Sequence, residues 1–179
     1  MEQKIQIPEK VQITVSGRDI IVKGPRGELK RSFDDPRFNE DINFSVSGSD
    51  FFVRTESTKR RMLAVAGTIS GHAKNMVIGV TKGYKYTMKI VYTHFPITVL
   101  VKGTDIEVKN FLGEKGVRKV KILGSSEVKA DKEFITVTGN SIESVGQTAA
   151  NIENSCKIGK RDRRIFIDGI YLSEKGFAQ

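Results

Sequence analysis

The chain has very few of the cysteines and histidines from which many catalytic and metal centres are built. Its 179 residues include one cysteine, no tryptophan and two histidines. A single cysteine excludes an intramolecular disulfide and fits a reducing compartment. His72 and His94 fall in different halves of the chain. With one cysteine they do not make a zinc-ligand pattern, and no Cys/His or Ser/His/Asp grouping is indicated. No apolar run approaches the ~18 residues that a membrane span needs. The N-terminal MEQKIQIPEK is too polar, and too charged in both signs, for a secretory signal. No Ser/Pro-rich linker interrupts the chain, so any domains are expected to be connected tightly.

What the chain has in excess is positive charge. Thirty Lys and Arg face 21 Asp and Glu, a formal net charge of +9. Divided at Gly83, the halves carry +4 and +5. Neither half is a basic tail; both are mixed-charge domains with a surplus. Such a surplus points to a polyanion, most often nucleic acid. A soluble protein that happens to be basic is the alternative.

The chain also repeats itself. VSGRDIIVKGPRGE (15–28) recurs as VKGTDIEVKNFLGE (101–114), which lays Gly17 on Gly103, Asp19 on Asp105, Ile20 on Ile106, Val22 on Val108 and Gly27 on Gly113. Each copy reads as two strands around a tight glycine turn, followed by a second glycine loop. Neither loop opens a helix, so hairpin geometry explains the glycines better than phosphate cradling. Asp19 and Asp105, repeated in one turn, read as turn hydrogen bonds rather than catalytic carboxylates. The repeat extends upstream, Lys4–Pro8 against Lys89–Thr93, and downstream, Asp50–Val53 against Glu133–Thr136 at a spacing of 83. A helix follows in both copies. Met62, Val65, Ile69, Ala73 and Met76 form one apolar stripe; Ile142, Val145, Ala149, Ile152 and Cys156 form the other. The expected architecture is α+β: two tandem duplicated domains, 1–83 and 84–179, each an antiparallel β-sheet with one packed α-helix.

Three cationic groups stand out. The first helix is expected to be capped by Ser57 or Thr58 and to end near Asn75, with a short strand over Val77–Val80. Lys59, Arg60 and Arg61 then sit in its first turn, against the helix dipole. Their counterparts Ile142, Glu143 and Ser144 do not break that rule. Phosphate contact and a solvated charged face are the two readings. Lys115, Arg118, Lys119 and Lys121 cluster around the strand RKVKIL; here the alternative is an edge strand charged against aggregation. The second helix is capped by Asn140 or Ser141, with Glu143 completing an Asn-x-x-Glu box and Gly159 just past its end. Cys156 lies on its buried stripe as a core thiol. Beyond it, Lys157, Lys160, Arg161, Arg163 and Arg164 crowd into eight residues ahead of a strand expected over Ile165–Tyr171. This is the strongest polyanion signal in the chain.

VKGPRGEL (22–29), HAKNMVIGVTKGYKYTMKIVYTHFPI (72–97), VKNFLGEK (108–115) and DGIYLSEKG (168–176) together resemble the universal large-subunit ribosomal protein six family, in its archaeal and eukaryotic form. The eukaryotic member is called large-subunit protein nine in older naming. The resemblance implies two tandem α+β domains and a structural role without enzyme activity, cofactor, small-molecule substrate or membrane. It implies a cytoplasmic, ribosomal location near the sarcin–ricin loop and stalk base, where translation factors dock. Large-subunit ribosomal RNA and neighbouring ribosomal proteins are the implied partners. The second domain and its C-terminal segment are expected to hold much of the RNA contact, which carries over to 157–164 and 168–175. The candidate RNA-binding residues are Lys59, Arg60, Arg61, His72, Lys74, Asn75, Lys115, Arg118, Lys119, Lys121, Lys157, Lys160, Arg161, Arg163, Arg164, Tyr171 and Lys175. The competing reading is a free-standing RNA-binding or RNA-chaperone module.

Overall fold

The computed structural model describes residues 2–159, 162 and 164–178. The chain divides into two compact units, Met1–Lys82 and Gly83–Gln179.

The first unit contains β1 (Glu2–Gln6), β2 (Gln12–Ser16), β3 (Asp19–Gly24), β4 (Gly27–Ser32), β5 (Ile42–Ser47), β6 (Asp50–Thr55) and α1 (Arg60–Thr81). They form two antiparallel sheets, in the orders β2-β3-β4 and β1-β6-β5, against which the helix packs. Strand alternation decides which residues go inward. Ile20 and Val22 of β3, and Phe51 and Val53 of β6, are fully buried beneath Ala66, Ile69 and Ala73 of α1. The Gly17-Arg18 turn between β2 and β3 needs positive φ, which Gly17 supplies at 62°. Where β3 meets the end of α1, a Cβ on Gly24 would lie 2.6 Å from Val80 Cγ2, so only glycine allows this approach.

The second unit contains β7 (Tyr84–Val91), β8 (Thr98–Lys102), β9 (Asp105–Lys109), a 3-10 turn (Phe111–Gly113), β10 (Val117–Lys121), β11 (Glu127–Ala130), β12 (Phe134–Gly139), α2 (Ile142–Ser155) and β13 (Gly169–Phe177). Its sheets are β10-β9-β8 and β11-β12-β7-β13. The duplication is visible in the core. Ile106 and Val108 are as fully buried as Ile20 and Val22. Val145, Ala149, Ile152 and Cys156 of α2 repeat the buried positions Met62, Ala66, Ile69 and Ala73 of α1. Each unit thus has two antiparallel sheets and one helix, where the sequence pattern suggested a single sheet.

Several boundaries differ from the sequence expectation, each for a local reason. Lys59, not Ser57 or Thr58, caps α1; the Ser57 hydroxyl instead accepts from the Lys59 N–H in a turn ahead of the helix. Helix α1 does not end near Asn75 but runs to Thr81. Its last turns bury Met76, Val77 and Val80 on helical spacing, so the short apolar run read as a strand is helix. Helix α2 is capped by Ser141, which accepts from Ser144 N–H. Glu143 therefore sits one position short of the capping-box site, and Gly159 lies three residues beyond the C-cap Cys156. The downstream repeat is one residue out of phase. Ile135 and Val137, not Phe134, match buried Phe51 and Val53, and Phe134 stays exposed. The final strand begins at Gly169 rather than Ile165, leaving 165–168 outside any strand. Asp19 does not bond its own turn but pairs across to Lys30 at 2.7 Å, which with Ser32 lowers its carboxyl below the ordinary range.

Candidate nucleic-acid interface

The first cationic group lies at the start of α1. Lys59, Arg60 and Arg61 are exposed, the cap makes no side-chain hydrogen bond, and the first turn holds no acid. Peptide dipoles give this end partial positive charge, and the three cations add to it, so it favours an anion. The acidic loop between β4 and β5 offers it little. Asp35 is held mainly by Arg37, whose Nε donates at 2.9 and 3.1 Å; its carboxyl falls to about 2, with Arg61 only a minor contributor. The later α1 candidates are elsewhere. The half-buried His72 ring sits 6.0 Å from that of Phe33. Asn75 is half-buried, and exposed Lys74 lines a groove beside β1. Thirteen residues of helix, about 20 Å, separate Lys74 from Arg61. The structure does not join these three to the first group.

The second group splits by strand parity. Register pairs Leu100 with Glu107 and Glu107 with Lys119, and it pairs Lys102 with Asp105 and Asp105 with Lys121. Lys102, Lys109, Lys119 and Lys121 therefore share one face of the β8-β9-β10 sheet. Glu107 lies among them, bonded to Lys102 at 3.0 Å, and its carboxyl is lowered by Lys102 first, then Lys109 and Lys119. Lys115 is exposed in the turn before β10. Arg118 points to the opposite face with Val120. It donates to both Glu114 carboxylate oxygens at 2.9 and 2.7 Å, donates to the Ser155 carbonyl, and lies 4.4 Å over the Phe111 ring. Arg118, expected among the RNA-binding residues, thus has its guanidinium engaged within the fold. It ties β10 and the Glu114 turn to the end of α2.

The third group begins there with exposed Lys157. Lys160, Arg161 and Arg163 lie outside the described residues. Arg164 is 89% exposed and among the described residues pairs with Asp162, at 3.1 and 2.8 Å among its contacts; Asp162 is lowered by this pair. An exposed pair of this kind is readily exchanged for another anion. The segment is anchored at its far end. Buried Asp168 accepts from both the backbone N–H and the hydroxyl of Thr93, at 3.0 and 2.8 Å. Ile165 and Ile167 project outward. The Tyr171 hydroxyl donates to the Ile167 carbonyl at 3.1 Å while its ring stays exposed, and Lys175 lies over Tyr86. Thr93 brings the exposed rings of Tyr92 and Phe95 to the same end of the unit. Aromatic faces beside cations suit unpaired bases and phosphates.

Sequence reasoning missed Lys102 and Lys109, which alternation across the β8–β9 hairpin could have placed opposite Lys119 and Lys121. It also missed Tyr92, Phe95 and the anchoring role of Asp168, which depend on contacts distant in sequence. Burial pushes the Cys156 thiol up, in keeping with a core residue. No cluster of three or more metal-ligating side chains occurs among the described residues, and none of their helices is long and apolar enough to cross a membrane.

The family described as ribosomal protein L6 matches residues 7–83 and again 95–169, once in each unit. The large ribosomal subunit protein uL6 of Saccharolobus solfataricus is 43% identical over 175 residues, 98% of this chain and 95% of that protein. Its counterpart in Methanospirillum hungatei is 44% identical over 172 residues, 96% of each. That of Staphylothermus marinus is 45% identical over 177 residues, 97% of this chain and 94% of that protein. With a family match in both halves and relatives similar along nearly its whole length, the chain belongs to the ribosomal protein L6 family.

Proposed function

We propose that this protein is a structural constituent of the large ribosomal subunit, held on ribosomal RNA chiefly by its second unit. The observation that carries this reading is the set of exposed cations on that unit. Lys119 and Lys121 lie on one sheet face, Lys157 and Arg164 follow α2, and Arg118, on the other face of that sheet, ties it to the end of α2. Identity along nearly the whole chain to large-subunit proteins supports the assignment to that particle. The finer location, near the sarcin–ricin loop and stalk base where translation factors dock, follows from the family resemblance and belongs to the same proposal. The cations at the α1 N-terminus form a second, smaller contact. No chemical step is assigned to any residue; the protein acts by positioning RNA and neighbouring ribosomal proteins.

Sedimentation tests this directly. After a high-salt wash the protein should remain with large subunits in equimolar amount. Protein that leaves the subunits in that wash, yet still binds RNA on its own, would instead indicate a free-standing RNA-binding or chaperone module.

A further inference from the structure

The two units build one sheet on the same plan, with one strand different. In the second unit the order is β11-β12-β7-β13; in the first it is β5-β6-β1. Strand β6 corresponds to β12, β5 to β11 and β1 to β7. Strand β13 has no counterpart among the described residues of the first unit. It pairs antiparallel along the outer edge of β7, with Ile170 opposite Ile90 and Leu172 opposite Met88. Ile170 is buried beside Cys156 and Ile158 at the end of α2. The corresponding edge of β1 pairs with no strand among the described residues. Beside it, β1 and α1 enclose a groove of about 460 Å³ lined by Lys4, Ile5, Gln6, Lys74, Val77 and Ile78. The spacing of 83 that aligns the two helices lays Lys74 on Lys157 and Asn75 on Ile158. The groove thus shares the Lys74/Lys157 position with the pocket that Ile170 lines, and it lies beside the strand edge equivalent to the one β13 occupies.

We infer that this edge is a docking site for an extended segment of a neighbouring ribosomal protein, added antiparallel to β1 as β13 is added to β7. The backbone is presented for it. The Ile7 N–H bonds the Ser49 carbonyl at 2.8 Å, so Ile7, Ile5 and Gln3 direct their backbone groups inward. By alternation Lys4 and Gln6 direct theirs to the open edge. Main-chain bonds would supply affinity, and apolar residues at alternate positions of the partner would fill the groove over Ile5 and Val77. Exposed Lys74 at the rim favours an acidic residue at the position nearest it. A protein strand suits this site better than RNA: the groove floor is apolar, and what the edge offers is a peptide ladder.

The inference rests on the subunit reading only for where the partner is found. A benzophenone amino acid replacing Lys74, in protein assembled into large subunits, should crosslink on irradiation to one ribosomal protein, giving a protease-sensitive, ribonuclease-resistant product. Gln6→Pro removes an edge N–H without touching the bonds to β6, a position where an edge strand tolerates proline. It should reduce that crosslink at least tenfold while thermal unfolding and subunit incorporation stay unchanged. Should Gln6→Pro fold poorly, amide exchange on the unmodified protein decides: the Gln6 N–H should exchange at least tenfold more slowly in the subunit than in free protein. A crosslink to RNA alone, no crosslink from subunits that contain the protein, or unchanged exchange at Gln6 would overturn the inference. Absence of the protein from large subunits would instead overturn the functional reading.

Discussion

The two units keep the same buried residues and use their cations differently. Ile20 and Val22 match Ile106 and Val108 at full burial, and four positions of α1 repeat in α2. Around that shared core the first unit commits most of its arginines to itself. Arg18 lies 5.6 Å over Phe44, Arg31 5.5 Å over Phe33 and Arg54 5.3 Å over Phe52, while Arg37 is held by Asp35. The second unit commits Arg118, pairs Arg164 with Asp162 and gathers Lys102 and Lys109 around Glu107, while Lys119, Lys121 and Lys157 are exposed. It also gains β13, which follows the basic segment in sequence. Core and surface have been under separate demands: packing kept the copies alike, and charge placement set them apart.

The shared core can be tested first, since it carries the largest effects. Ile20→Ala and Ile106→Ala remove equivalent buried side chains and should each cost about 2–5 kcal/mol. Amide exchange should register each loss mainly in its own unit; a markedly unequal cost would break the equivalence. Next comes Arg118→Ala, which leaves Glu114 and the Ser155 carbonyl without this donor. Hydrogen bonds to a charged group predict a loss of about 1.5–3 kcal/mol, confined to the second unit and read by denaturant unfolding. Lys59→Gln with Arg60→Gln should do the reverse in the first unit. Relief of the dipole conflict stabilises α1 by about 0.3–1 kcal/mol per charge at low salt, an effect that added salt erases. A weaker interaction with RNA should accompany it; no change in either would mark these residues as a solvated face.

The smallest effect is in acid. Asp35 has a folded-state value of about 2, below its ordinary 3.8, so its contribution to stability is complete above the ordinary value and is lost as pH falls through about 2. Carbon-detected NMR should find its midpoint near 2, and Arg37→Ala should move it back toward 3.8. A midpoint unmoved by that change would mean that Arg37 is not the cause.

Much of this contrast was readable from the residues. Period-two and helical spacing, together with the shifted repeat, were enough for the paired α+β units and the core positions Ile20, Val22, Ile106 and Val108. What escaped needed neighbours distant in sequence. Helix α1 continues through Met76–Val80 because Gly24 of β3 leaves room for Val80. Arg118 is turned inward by strand parity and by Phe111, although composition groups it with Lys119. The start of β13 is set by its pairing with β7 and by the Asp168–Thr93 anchor, not by the apolar run at Ile165. The three cationic groups were legible as composition, but only the tertiary structure showed which side chains remain at the surface.

The central claim is that the second unit is the principal RNA anchor. It is tested most directly by comparing two alanine variants in a salt titration of RNA binding, one with Lys119, Lys121, Lys157 and Arg164 replaced, the other with Lys59, Arg60 and Arg61 replaced. For about six to ten phosphate contacts, log K of the unmodified protein should fall with log[salt] at a slope of about −4 to −9. Each lost contact should reduce its magnitude by about 0.7–0.9. The account predicts a drop of about 3 for the second-unit variant, with loss of large-subunit incorporation, and a smaller drop for the first-unit variant, which still assembles. A second-unit variant with unaltered slope and normal incorporation would contradict it.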